Sequence, residues 1–203
     1  MRRLIQSLFI LFIANPLSAQ VDSGYIKCNL NFIEYTIALD SSNLNPEQVK
    51  VKYNEEFKKW NKCIQSYKVP DFKALTLHND TFSLEKVTNK VVVLNFWSLN
   101  CPPCLIELKV LNALCEEYKT EEVIFVSLAP NSKKQIMNYI SSKISTIANA
   151  NEIFNLYGIY GYPQTIILRK NHMIRHQFMG INVNDIEKFK ESFKIEVKEA
   201  LLE

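Results

Sequence analysis

Glycine and histidine are scarce in this chain, with four glycines and three histidines among 203 residues. So few glycines, with charges of both signs, argue against a disordered polymer. An excess of either charge is also missing: 24 basic residues face 21 acidic ones, a formal net charge of +3. That balance gives no electrostatic case for nucleic acid, and none is expected as a partner. Internal repeats and low-complexity tracts are absent. So is any apolar run of the roughly twenty residues that span a bilayer. At 47% hydrophobic, the chain has enough apolar content for the core of one ordinary domain plus decoration.

The first nineteen residues differ from the rest. Arg2 and Arg3 form a positive end, Leu8 to Ile13 is unbroken and apolar, Asn15-Pro16 breaks the run, and Ala19 is a small residue before Gln20. This pattern predicts a secretory signal peptide over 1–19, cleaved to leave no stable membrane span. A retained membrane anchor is the competing reading, and the run is short for it. The residue directly after the cut is Gln20 and not a cysteine, which argues against a lipid anchor. The expected location is therefore periplasmic or secreted. All five cysteines (Cys28, Cys63, Cys101, Cys104, Cys115) lie beyond the cut. In an oxidising compartment they should be paired, buried or catalytic.

Residues 20–68 read as an N-terminal strand–helix extension. Asn31 to Leu39 carries Phe32, Ile33, Tyr35, Ile37 and Leu39 in rough alternation, which predicts a strand. Val49, Tyr53, Phe57, Trp60, Ile64 and Tyr67 recur at helical steps after Pro46. Residues 69–203 alternate strands and helices, which predicts an α/β fold with a central mixed β-sheet flanked by helices. Strands are expected near 72–77, 91–97, 123–128, 144–148, 165–168 and 173–179. Helices are expected after Cys101, over 132–142 (Ile136, Tyr139 and Ile140 inward), 151–157 and 184–202. The strands at 91–97 and 123–128 should pair in parallel, and the last two should form an antiparallel hairpin.

Cys101-Pro102-Pro103-Cys104 lies between a buried strand and a helix. At a helix N-terminus the unpaired backbone N–H groups favour a thiolate at Cys101. Cys104, one turn in, faces the core and stays protonated longer. That asymmetry is what thiol–disulfide exchange needs: Cys101 attacks, Cys104 resolves. The two prolines each remove an N–H. The competing readings are half a zinc site and an inert disulfide. His78, His172 and His176 are the only histidines, and no second Cys-x-x-Cys is present, so the zinc reading lacks ligands and no metal is expected. Gly161-Tyr162-Pro163-Gln164-Thr165 places a proline before a strand, where a cis bond is an option.

Pro70-Asp71-Phe72, Val91 to Trp97, Cys101 to Cys104, Glu107, and Tyr157-Gly158-Ile159 through Pro163-Gln164-Thr165 together resemble the TlpA/ResA-like thiol–disulfide oxidoreductases of the thioredoxin superfamily. The likeness covers about residues 69–200. It implies a thioredoxin fold with a cis Pro163 facing the disulfide and Tyr162 as a client contact. It also implies Glu107 as a proton carrier for Cys104; a solvated helix glutamate is the alternative. Asn95 stands where ordinary thioredoxins carry a buried acid. The family often has tryptophan before the first cysteine, where this chain has Asn100. Arg169-Lys170-Asn171-His172 replaces the usual Asp and Gly turn, with Asn171 as the expected turn residue.

The resemblance further implies exchange with oxidised or reduced client proteins, with a membrane electron donor and an apocytochrome or other secreted protein as client. No organic cofactor is needed, because the sulfur pair holds the electrons. A redox-inactive thioredoxin-like binding or metal-handling module is the competing class. Cys28 and Cys63 are expected to form a disulfide pinning the extension; a second redox pair or two buried free thiols are the alternatives. Cys115 reads as a core residue. His172 and His176 read as isolated solvated histidines, with a surface copper or zinc site as the alternative.

Overall fold

The computed structural model describes residues 23–139 and 142–203. The expected signal peptide and the predicted inward Ile140 lie outside the described residues. The described residues begin with two helices, α1 (Ser23–Asp40) and α2 (Pro46–Ile64). A small hairpin follows, β1 (Lys73–Leu75) with β2 (Thr81–Ser83). The body then runs β3 (Val91–Phe96), α3 (Pro102–Glu117), β4 (Val123–Leu128), α4 (Lys133–Tyr139), β5 (Ser145–Ile147), α5 (Asn151–Leu156), β6 (Gln164–Leu168), β7 (Ile174–Met179) and α6 (Ile186–Leu202).

Five strands form one mixed sheet in the order β5-β4-β3-β6-β7. β3 pairs in parallel with β4 and antiparallel with β6, and β6 and β7 form the antiparallel hairpin. Every residue of β3 is buried, as an apolar run without alternation implies for a strand covered on both faces. Val91, Val93 and Trp97 face α3 and α6, against Leu108, Leu111 and Phe193. Val92, Leu94 and Phe96 face the other way, against Phe154, Tyr157 and the extension's Tyr25, Phe32 and Trp60.

The extension is a helical pair, which corrects the predicted strand at 31–39. The buried apolar residues of α1 are Tyr25, Cys28, Phe32 and Leu39, at steps of three, four and seven, which is a helical stripe. The local alternation of β-branched and aromatic residues concealed a period that starts six residues before Asn31. Tertiary contacts decide the outcome: Phe32 stacks on Trp60 with ring centroids 4.9 Å apart, and Cys28 is disulfide-bonded to Cys63, Cα to Cα 6.1 Å. Cys28 therefore lies within a helix, while Cys63 sits on an exposed part of α2. At Gly24 an added Cβ would run into the Tyr67 ring, so the first turn of α1 seats directly on that side chain.

α2 begins with a capping box, Asn45 exchanging hydrogen bonds with Gln48, and has proline in its first turn. Its far end covers the outer edge of β7. Asn61 donates Nδ2 to the Gln177 carbonyl (3.3 Å) and accepts from the Gln177 N–H (3.0 Å), and Gln65 Nε2 donates to the Arg175 carbonyl (2.7 Å). An edge strand that would otherwise offer unpaired backbone is thereby closed.

Smaller differences concern single residues. Tyr139 is exposed rather than inward, and Ile136 is the residue that α4 buries among those described. In the β6–β7 turn the left-handed residue is His172 (φ 65°), while Asn171 accepts from the Met173 N–H through Oδ1.

Candidate active site

β3 delivers the chain to the top of the sheet, where Ser98-Leu99-Asn100 turns it into α3. Asn131, in the β4–α4 loop, holds that turn: its Oδ1 accepts from the Leu99 N–H (2.9 Å) and the Ser98 hydroxyl (3.3 Å). Cys101 is the N-cap of α3 and Pro102 and Pro103 fill its first turn, positions that have no helical N–H partner to lose. The first N–H available is that of Cys104, and it donates to Cys101 Sγ at 3.2 Å. A sulfur thus occupies the place of a capping oxygen, at the positive end of the helix. Cys101 and Cys104 form a disulfide with Cα atoms 5.2 Å apart. Cys104 is wholly covered, and Cys101 retains 7% exposure.

The loop before β6 faces this pair. The Tyr162–Pro163 peptide is cis, and the Tyr162 carbonyl oxygen lies 3.7 Å from Cys101 Sγ. The Tyr162 side chain is 45% exposed and rests edge-on against Phe154. Gly158, at positive φ just past α5, ends that helix and starts the loop. Gln164 Nε2 donates to the Gly161 carbonyl (2.8 Å), and the Gly180 N–H donates to the Pro163 carbonyl (2.8 Å).

One turn beyond Cys104, Glu107 is completely buried. Its Oε1 accepts from the Thr165 hydroxyl (2.7 Å) and from Asn95 Nδ2 (3.0 Å). Its other oxygen has no hydrogen-bond partner, nor do Asn95 Oδ1 and Trp97 Nε1 on the same side of β3. Burial pushes the Glu107 carboxyl up to about 7, against a smaller downward pull from Thr165. A carboxyl so placed is half ionised near neutral pH and can take up or release a proton.

Cys101, Cys104, Glu107, Tyr162 and Pro163 are thus gathered at the carboxyl ends of β3 and the start of β6. Cys28 and Cys63 lie apart from them in the extension. Asn131 and Thr165 are contributors that sequence reasoning did not single out. Thr165 carried a signal, as a polar residue followed at once by an apolar strand run, whereas Asn131 sits in a loop with nothing to mark it. Cys115 is free and half-buried, and burial raises its thiol. His172 is buried and His176 is partly buried, which corrects their reading as solvated. His172 Nε2 lies 2.8 Å from the Val87 carbonyl. Burial, helped by Arg175, lowers His176 to about 4. Among the described residues no group of three His, Cys, Asp or Glu side chains is placed to hold a metal ion. No helix among them is long and apolar enough to cross a membrane.

Residues 66–177 match the AhpC/TSA family, more than half of the chain. The thioredoxin-like protein YneN of Bacillus subtilis is 30% identical over 122 residues, covering 57% of this chain and 72% of the relative. The thiol–disulfide oxidoreductase ResA of Geobacillus kaustophilus is 27% identical over 131 residues, covering 62% and 75%. Among solved structures, a DsbE thiol:disulfide interchange protein from Chlorobium tepidum superposes with a TM-score of 0.58 at 21% identity, covering 64% of this chain and 95% of that one. That last likeness speaks for the thioredoxin fold. Taken with the sheet order and the helix-capping cysteine, these matches place the chain in the AhpC/TSA family, among its ResA-like thiol–disulfide oxidoreductases.

Proposed function

We propose that this chain is exported and reduces disulfides in client proteins through Cys101 and Cys104, drawing electrons from a membrane donor. The observation that carries the reading is the buried Glu107 one turn past Cys104, with a carboxyl raised to about 7. In the dithiol form, Cys101 is the thiolate held by the Cys104 N–H and the helix end. It attacks one sulfur of the client disulfide; that bond breaks, and the other client sulfur leaves as a thiolate. The Cys104 thiol gives its proton to Glu107 and attacks Cys101 Sγ. The mixed disulfide breaks, the second client thiolate leaves, and Glu107 returns the proton. Two electrons have then moved from Cys101 and Cys104 to the client, leaving the disulfide form. Tyr162 offers backbone to the client strand beside the reacting sulfur, and the cis bond to Pro163 sets the turn that presents it.

Export is supported by the residue pattern over 1–19 and by a second disulfide remote from the site, a feature of oxidising compartments. The direction of electron flow, the membrane donor and an apocytochrome client rest on the resemblance to TlpA/ResA-like proteins. Equilibration of the Cys101/Cys104 couple with glutathione tests the direction. A reductant gives a potential near or below that of glutaredoxins, about −200 to −230 mV, and a value near the ~−120 mV of a strong oxidant would reverse the assignment.

A further inference from the structure

A cavity of about 180 Å³ opens where the helical extension meets the loop that carries Pro163. Phe32 and Ile33 of α1 and Trp60 of α2 form one wall; Tyr160, Gly161 and Met179 form the other. The first wall lies before residue 66, where the family match begins, so the extension adds it to the family's own framework. The cavity exceeds the ~150 Å³ apolar void known to take up benzene, so an aromatic ring fits.

The pocket is held open by buried amides. Trp60 Nε1 donates to Asn29 Oδ1 (2.9 Å), which fixes the indole against α1. On the floor, Gln177 Nε2 donates to Gln164 Oε1 (2.7 Å), and Gln164 in turn holds the Gly161 carbonyl. Asn61 anchors Gln177 from α2. The wall from the extension and the loop beside the disulfide are therefore tied through one chain of hydrogen bonds. An added Cβ at Gly161 would meet nothing within 4 Å, so the loop leaves its pocket side open.

The pocket is continuous with the surface that a client must cover. Gly161 lines it, and the next residue is Tyr162, whose carbonyl oxygen is 3.7 Å from Cys101 Sγ. Tyr160 (74% exposed) and Met179 (37%) at the pocket wall and Tyr162 (45%), whose carbonyl lies beside the sulfur, form an exposed apolar apron. A client cysteine bonded to Cys101 must lead its own chain across that apron. At ~3.3 Å per extended residue, a side chain about two to four residues from the cysteine reaches the cavity. Buried aromatic anchors of this kind dominate recognition at protein interfaces.

We propose that the extension and the Tyr160–Gly161 segment form a specificity pocket for an aromatic side chain of the client, close in sequence to its reactive cysteine. This rests on the exchange reading above and adds a recognition element to it.

The test uses short synthetic peptides, each with one cysteine carried as its mixed disulfide with thionitrobenzoate. Paired peptides differ only by Phe or Ala at two, three or four residues from the cysteine. The reduced full chain attacks the mixed disulfide; thionitrobenzoate is released and read by its colour as Cys101 and Cys104 become oxidised. The expected result is a second-order rate constant about tenfold higher for Phe at one of these positions. Ile33→Trp, which fills the pocket, should bring the Phe-to-Ala ratio to about one. Met179→Trp is the second variant should the first fail to fold. Equal rates with both peptides would overturn the pocket and leave exchange standing, as would a Phe preference that survives both fillings. Release from neither peptide would overturn the exchange reading and the pocket with it. A preference that vanishes as the protein concentration is raised would assign the pocket to a second copy of the chain and overturn the client assignment.

Discussion

The Thr165 hydroxyl donates to Glu107 Oε1 at 2.7 Å, tying the helix that carries both active-site cysteines to the strand that follows Pro163. The acid is thereby fixed at the junction of the two halves of the site, and its ionisation acts on stability as well as on exchange.

Glu107→Gln should stabilise the protein in alkali. The carboxyl is raised from 4.5 to about 7 by burial, so the native state prefers the protonated form. Stability is full below about pH 4.5, where folded and unfolded chains both carry the proton. It is lost as pH rises through about 7, because unfolding then releases a carboxylate into water. Gln keeps the acceptor for Thr165 and removes the titration. Urea unfolding should show the variant more stable by a few kcal/mol at pH 8–9, with the gap closed at pH 4. Resolution of the mixed disulfide should meanwhile lose its inflection near pH 7. A constant gap at all pH values would remove Glu107 from the proton path.

Much of this site was legible because its determinants are local. A cysteine before two prolines reads as an N-cap with a filled first turn, and the apolar run of β3 reads as a strand buried on both faces. The polar cluster was only partly legible. Asn95 and Thr165 are cross-strand partners in the β3–β6 register, and their 3.0 Å hydrogen bond follows only once that register is known. The extension was misread because nine residues with β-favouring side chains were weighed alone. Its helix is fixed by Trp60, Cys63 and the face of the sheet, all distant in sequence. The specificity pocket depends on the same packing and left no mark in composition.

Cys104→Ser should accumulate mixed disulfides with client proteins, and Cys101→Ser should not. Cys101 keeps 7% exposure where Cys104 has none, and its sulfur receives the Cys104 N–H, so it forms the first bond. Without Cys104 nothing resolves it. Non-reducing gels of trapped protein should show ladders with the first variant, none with the second and none with the double variant. Ladders through Cys104 alone would invert the assigned roles.

Cys63→Ser should cost about 2–4 kcal/mol. The bond to Cys28 closes a loop with a sequence separation of 35 residues, and its loss frees the unfolded chain. Because Tyr25, Phe32, Trp60 and Ile64 share a core with Val92, Leu94 and Phe96, the loss should appear in the single cooperative transition of the whole protein. A separate early transition of α1 and α2 would show instead that the extension melts alone.

Asn61→Leu should be more damaging than its surroundings suggest. Asn61 is 5% exposed and satisfies both backbone groups of Gln177 on the outer edge of the sheet. Leucine fills similar space but leaves a buried N–H and a buried carbonyl without partners, at about 1–3 kcal/mol each. Gln65→Ala removes a single hydrogen bond to the Arg175 carbonyl at a half-buried position where water can substitute. Its cost should be about 1 kcal/mol or less. Urea unfolding should therefore rank Asn61→Leu well below Gln65→Ala in stability. Light scattering should find Asn61→Leu the more prone to aggregate, because it leaves backbone groups on the edge of β7 unpaired. Similar small losses at both positions would mean that the edge is closed by α2 as a whole and not by its asparagine.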